Sequence, residues 1–342
     1  MTDSGHLGPI DFSNPQQYLQ MNWLVEGWFE RGDVVMWAGD PGIGKSVACL
    51  AAGISLAAGR PMLGLWPHPT GQPFRVAILD LENPKSIIVR RLIRLGMGLS
   101  LDLSTIYPRH LDAYPLRGVG LFGQANSQEI LDSLTVFSPD LVILDTVMSA
   151  TNQDTLSPLA GVRFVRDNVM RWAECLKCGW WLIHHTRKPT DNSPGSKDAR
   201  IGDLHQASGG GFVGMADALV LVQKDDRNRI VLTNPKQRHQ ANEGRYYLRM
   251  IGGEDPVGPL SIQLSPTHLP SGRSGDLFLK ILPLLPMESP DLARLLCTLA
   301  DIKPRQARAY ITQWVHDGCL SRQPVIRSTG GRARTLLAVA PK

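Results

Sequence analysis

The sequence predicts an α/β fold: a mostly parallel sheet flanked by helices, followed by a small C-terminal unit of three helices and a hairpin. Three observations carry this expectation. From residue 34 to about 265, short β-rich apolar runs alternate with helix-length stretches; such alternation implies a parallel sheet with helices on both faces. Several of those runs are continuous rather than alternating, as in strands buried on both faces. After residues 252–274, which carry Gly, Pro and Ser at both ends, the pattern changes to three helical runs and a Gly-Gly turn.

The elements follow in order. Residues 1–30 are polar at first, then aromatic around Trp23, Trp28 and Phe29, and read as a lead-in packed beside the core. The expected strands are Val34–Ala38, Arg75–Leu81, Leu141–Leu144, Trp180–Ile183, Ala218–Val222, Arg229–Leu232 and Tyr246–Met250. The last ones follow one another closely, which suggests an antiparallel extension. The expected helices between them are Lys45–Ala58, Lys85–Gly96, Ser127–Val136 and Leu159–Leu176. Thr186–Gly211 has no apolar period and is rich in Pro, Gly, Ser and charged residues; such a stretch is functional or disordered. The expected division is a lead-in at 1–30, a nucleotide-binding core at 31–255, a linker at 256–273 and a C-terminal domain at 274–342.

Composition narrows the class. With 43% hydrophobic and 20% charged residues, the chain is not intrinsically disordered. Its longest helix-like apolar run, Val47–Ala58, has 12 residues, where a membrane span needs about 20. The N-terminus shows neither a basic region nor an apolar one, so no signal peptide is expected. Five scattered cysteines fit a reducing, cytoplasmic setting. The net charge is +5, and all of it lies after residue 273: ten Lys and Arg against five Asp and Glu, with 26 of each sign before. A neutral body with a basic tail suggests a negatively charged partner such as nucleic acid, or merely a soluble basic surface.

Gly39-Asp40-Pro41-Gly42-Ile43-Gly44-Lys45-Ser46 matches G-x-x-x-x-G-K-[ST] at every fixed position, after an expected strand and before an expected helix. Glycines let backbone N–H groups curl around phosphates; Lys45 would reach the outer oxygens and Ser46 would bind Mg²⁺. Such a loop needs a second acid to order the metal. Asp145, at the end of Leu141–Leu144, supplies it. A further carboxylate, Glu82, follows the strand Val76–Leu81, where it can polarise an attacking water. The residue after Asp145 is Thr146, so the arrangement with a catalytic Glu next to the second acid is absent.

With these residues in place, the chain resembles the RecA-like hexameric ATPases of the RepA/DnaB helicase group, most closely the plasmid RepA-type branch. The resemblance runs in order through NWLVEGWFERGDVVMWAGDPGIGKS (22–46), PFRVAILDLEN (73–83), LVILDTVMSATNQD (141–154), GWWLIHHTRKP (179–189), ASGGGFVGMADALVLV (207–222) and NPKQRHQANEG (234–244). It implies an ATP-hydrolysing DNA motor using ATP and Mg²⁺, a ring helicase or remodeller serving a plasmid, phage or mobile element. The alternatives are a nucleotide-controlled DNA-binding regulator or loader without unwinding activity, and a recombinase-like filament former. It implies that His184 and His185 sense the γ-phosphate. Lys236 and Arg238 would reach a neighbouring subunit as fingers, with Arg200 as a rival because a basic residue before the small-residue turn does this job in some relatives; the departure here is that three glycines, not a Ser-Ala pair, follow Ser208. Arg187, Lys188, Lys197 and Arg200 would face single-stranded DNA in the ring channel, touching phosphates without reading sequence.

The C-terminal runs at about 275–285, 289–300 and 303–317, with a hairpin turning at Gly330-Gly331, suggest a winged helix-turn-helix. Arg305 and Arg308 fall on one face of the third helix, with Ala309, Ile311 and Trp314 expected to pack inward. Arg332 and Arg334 would make a basic wing tip. Winged helices also bind proteins, so both partners stay open.

Overall fold

A computed structural model describes residues 16, 19–64, 66–119, 121, 126–150, 162–185, 214–236, 238–239, 245–265, 272–281, 284–285, 287–316, 319–325 and 334–339. The chain opens with a small hairpin, β1 (Trp23–Val25) and β2 (Phe29–Glu30). The main sheet takes its parallel strands from β3 (Val34–Gly39), β4 (Val76–Asp80), β5 (Leu111–Pro115), β6 (Leu141–Asp145), β7 (Gly179–His185) and β8 (Ala218–Lys224). Three antiparallel strands extend it: β9 (Ile230–Lys236), β10 (Arg245–Ile251) and β11 (Ser261–Ser265). The order across the sheet is β11-β10-β9-β8-β3-β7-β6-β4-β5. The mostly parallel sheet with an antiparallel extension is therefore present as expected.

The parallel strands bury every residue of VVMWAG, VAILD and LVILD, which is why they read as continuous apolar runs. Alternate residues serve two cores. Trp37, Ile78, Ile143 and Trp181 face α1 (Lys45–Ala57) and α2 (Lys85–Gly98). Met36, Leu79, Leu144 and Leu182 face the other layer, which includes α3 (Asn126–Phe137). In α3 the buried residues Ile130, Leu134 and Phe137 recur at helical spacing. The lead-in hairpin drives Trp28 into the first core, stacked on Trp66 with ring centroids 4.9 Å apart.

Several expectations need correction. Residues 256–273 are not a plain linker: β11 lies within them and pairs along β10 from Tyr247↔Ser265 to Ile251↔Ser261. Leu260 and Ile262 alternate inward to join the first core, so burial outweighs the turn-rich flanks. β5 (LDAYP) was not expected, because its few apolar residues give no recognisable run. Within the helix expected at 159–176, residues 165–170 form a π-helical segment that runs into an α-helical turn at Arg171–Leu176.

The C-terminal elements are helices at Gly272–Ile281, Ser289–Ala300 and Pro304–His316 and a three-stranded sheet of β12 (Met287–Glu288), β14 (Arg334–Val339) and β13 (Leu320–Val325), in that order. They have a core of their own built on Phe278, Leu292, Leu296, Ile311 and Trp314. Ala309 is exposed, and Ala307 takes the inward place expected of it. The helix period puts 307, 311 and 314 on one face, and 309 off it.

Candidate active site

The carboxyl ends of β3, β4, β6 and β7 converge on one edge of the sheet, the edge where open α/β folds bind ligands. β3 delivers the phosphate loop. Gly44 adopts φ +100°, a left-handed conformation that costs a side chain strain, and a Cβ there would meet Ile230. A Cβ on Gly39 would lie 2.2 Å from the Val222 carbonyl oxygen. The two glycines are therefore demanded by the fold as well as by phosphate. Helix α1 starts at Lys45, directly after the loop, so its unpaired N-terminal N–H groups open onto the loop.

Lys45 is buried, and its ammonium donates to the Gly39 carbonyl at 2.7 Å and the Asp40 carbonyl at 2.8 Å. Burial lowers its pKa, and the nearby Cys49, Asp145, Asp40 and Glu82 pull it back up. Its third contact is His185 Nδ1 at 3.2 Å. An ammonium can only donate, so Nδ1 accepts and the ring proton resides on Nε2. That nitrogen lies 3.2 Å from Glu82 Oε1. The Thr146 hydroxyl donates to the same oxygen at 2.8 Å. A chain of contacts thus runs Lys45–His185–Glu82–Thr146. The His185 hydrogen bond, foremost, holds the Glu82 carboxyl below its usual range; burial opposes it and Thr146 assists.

Asp145 sits beside Asp80 in register on the neighbouring strand. Both of its carboxylate oxygens are buried without a well-formed hydrogen bond. Burial pushes its pKa up to about 6; the Ser46 hydroxyl offsets part of this, and Asp80 and Glu82 add to it. A buried carboxylate with no well-formed hydrogen bond, next to a serine hydroxyl, fits a divalent cation. Asp80 plays a different part: its Oδ1 accepts from the backbone N–H of Glu82 at 3.0 Å and of Asn83 at 2.8 Å. This Asx turn aims Glu82 out of the strand.

The structure thus brings together Gly39, Lys45, Asp145, Glu82 and His185. Next to His185 on the strand, His184 is buried and its pKa falls to about 4, chiefly through burial and then through His185 and Lys45. Adjacent strand residues point to opposite faces, so only His185 enters the Lys45–Glu82 chain. The expected fingers lie elsewhere. Lys236 donates to the Gly214 and Ala216 carbonyls, and Arg238 pairs with Asp217. Asp217 accepts from the Val34 N–H, at the end of β3 remote from the phosphate loop. Arg305 and Arg308 are exposed on the Pro304–His316 helix. Arg187, Lys188, Lys197, Arg200 and Arg332 lie outside the described residues, as does Thr186–Gly211, and Arg334 is described in its backbone only. Sequence reasoning missed the roles of Thr146 and Asp80. Their signal was adjacency: a hydroxyl following the strand-end acid, and an Asp two residues before the glutamate.

Among the described residues, no helix is long and apolar enough to cross a membrane. No curated protein matches the chain. A family model described as an AAA domain matches residues 9–191, over half of the chain, and covers every residue of the Lys45–Glu82–Asp145–His185 constellation. With a mostly parallel sheet flanked by helices and an intact phosphate loop, the chain belongs to the AAA domain family and is a P-loop ATPase with a RecA-like fold.

Proposed function

We propose that this ATPase is a DNA motor, a ring helicase or remodeller of the RepA/DnaB kind, serving replication of a plasmid, phage or mobile element. The observation that carries the reading is the contact chain from Lys45 through His185 to Glu82. It links the phosphate-binding ammonium to the hydrolytic carboxylate through the last residue of β7, whose chain continues directly into residues 186–213, which carry Arg187, Lys188, Lys197 and Arg200. Phosphate arriving at Lys45 would compete with its present carbonyl partners and with His185, so nucleotide state is communicated to that stretch.

In this reading ATP is the substrate. Gly39 to Ser46 wrap its phosphates with backbone N–H groups, and Lys45 stabilises charge on the outer oxygens. Glu82, held ionised, accepts the proton of the attacking water. Ser46 and Asp145 would hold Mg²⁺, which neutralises phosphate charge. Arg187, Lys188, Lys197 and Arg200 contact single-stranded DNA in a homohexameric channel. The C-terminal elements act as a winged helix, with Arg305, Arg308, Arg332 and Arg334 toward duplex phosphates. A second reading, a nucleotide-controlled regulator or loader, is favoured by one observation: Arg305 and Arg308 stand exposed on a helix with its own core, as a free-standing DNA-binding unit requires.

The test compares wild type with Glu82→Gln. Wild type should hydrolyse ATP faster with single-stranded DNA and displace an annealed strand with one polarity. Glu82→Gln should bind ATP and DNA but lose turnover, since an amide takes no proton from water. ATP-gated duplex binding without strand displacement would select the regulator instead. Normal hydrolysis by Glu82→Gln would remove Glu82 as the base.

A further inference from the structure

Among the described residues, Glu82 is held through one oxygen. Its Oε1 takes both the Thr146 hydroxyl at 2.8 Å and His185 Nε2 at 3.2 Å. Neither of these bonds uses Oε2. Thr146 is fully buried just after β6, and its hydroxyl lies 3.5 Å from the Ser149 hydroxyl. A threonine hydroxyl has a single proton. Given to Glu82, it leaves Thr146 an acceptor toward Ser149, so the orientation is supported from behind.

We propose that Thr146 is a positioning residue for ATP hydrolysis: with His185 it anchors Oε1 of Glu82, so that Oε2 is the oxygen offered to the attacking water. The inference rests on the reading of Glu82 as the base. The backbone of Glu82 is already fixed by the Asp80 turn, but a glutamate side chain still has three rotatable bonds. A single contact to His185 leaves the carboxylate free to swing about that contact. A second contact, from the residue that follows β6, removes the swing. Holding a catalytic group in its reacting orientation accelerates chemistry without changing ground-state affinity for substrate. A hydrogen bond to a charged group is also among the stronger ones to lose.

The test is steady-state ATP hydrolysis by the full chain, with Thr146→Val, Thr146→Ala and Thr146→Ser beside Glu82→Gln. Valine keeps the shape and removes the hydroxyl. Thr146→Val should lower kcat about tenfold while KM for ATP stays within about twofold. Thr146→Ala should resemble it, so the outcome does not depend on how valine packs. Thr146→Ser should restore most of the rate, because the hydroxyl returns; a purely structural role would not give this rescue or this split between kcat and KM. The proposal is overturned if Thr146→Val and Thr146→Ala turn over at the wild-type rate, or if Thr146→Ser is as slow as they are. The reading beneath it is judged separately: hydrolysis by Glu82→Gln at the wild-type rate removes the base, whereas an inactive Glu82→Gln beside a fully active Thr146→Val removes only the anchor.

Discussion

Both carboxylate oxygens of Asp145 are buried with no well-formed hydrogen bond, and burial holds the group near pKa 6 against an ordinary 3.8. The folded protein therefore binds this proton more tightly than the unfolded chain. The sign follows: the carboxyl costs nothing below pH 3.8, costs progressively more as pH rises toward 6, and carries its full cost above that. The cost is about 3 kcal/mol at about 1.36 kcal/mol per pH unit. Asp145→Asn removes the ionisation, so without divalent cation it should stabilise the fold at pH 7.5 by up to about 3 kcal/mol in urea unfolding while losing ATP turnover. The gain should fade as pH falls to 4. A variant no more stable than wild type at pH 7.5 would show that the carboxylate finds compensation in solution. The loop, Asp145 and Glu82 were legible in the sequence, because each stands at a strand end that local pattern locates; His185 entered through the family resemblance. Thr146 was not legible: its role depends on which strands become neighbours, and no periodicity reports that, whereas the Asx turn of Asp80 is local and stood two residues before Glu82.

The two strands of the main sheet that pattern failed to mark, β5 and β11, lie at its two edges. In β5 the residues bonding inward to β4 alternate with outward ones. The outward donors are already blocked: Leu111 N–H donates to Ile106, Ala113 N–H to the Asp112 side chain, and Pro115 has none. Such an edge resists pairing with another chain, and the same Asp and Pro hide it from a propensity-based reading. At the other edge, Arg94 of α2 donates to the carbonyls of Gly252, Asp255 and Gly258, the last at 2.8 Å. This clasp fastens the β10–β11 turn onto α2, and the Leu260 N–H returns a bond to the Arg94 carbonyl at 2.9 Å. Arg94→Ala should cost about 2 kcal/mol in unfolding free energy, because several carbonyls lose a charged donor. Arg94→Lys should recover little, since one ammonium lacks the planar fork. A change below about 0.5 kcal/mol for Arg94→Ala would place it among ordinary surface substitutions. The sequence shows Arg94 only as one of several cations on a helix face; its partners lie some 160 residues later in the chain.

At the scale of the whole molecule, the phosphate loop and Arg238 occupy opposite ends of the parallel strands. Asp217, which holds Arg238, bonds to Val34 at the start of β3, and the loop leaves β3 at Gly39. Five residues of strand at about 3.3 Å each separate them by about 17 Å. That exceeds the length of an arginine side chain, so Arg238 does not reach its own γ-phosphate from this position. If it stabilises charge on the transferred phosphoryl group, it does so on a neighbouring subunit, where a finger of this kind is worth about 10³–10⁵ in rate. Assembly would have to draw it away from Asp217, and that contact is exposed on the arginine side, with 62% of the side chain accessible. We therefore expect Arg238→Ala to bind ATP normally and hydrolyse it poorly. Mixed with Glu82→Gln, it should regain part of the lost turnover, because in the proposed ring some mixed interfaces pair an intact Glu82 with an intact Arg238. The mixture is assayed over a range of ratios, with mixed assemblies confirmed by mass. Recovery that peaks near equal proportions supports a finger delivered in trans. Flat, additive activity across all ratios removes Arg238 from that role, and the same mixing experiment then passes to Arg200.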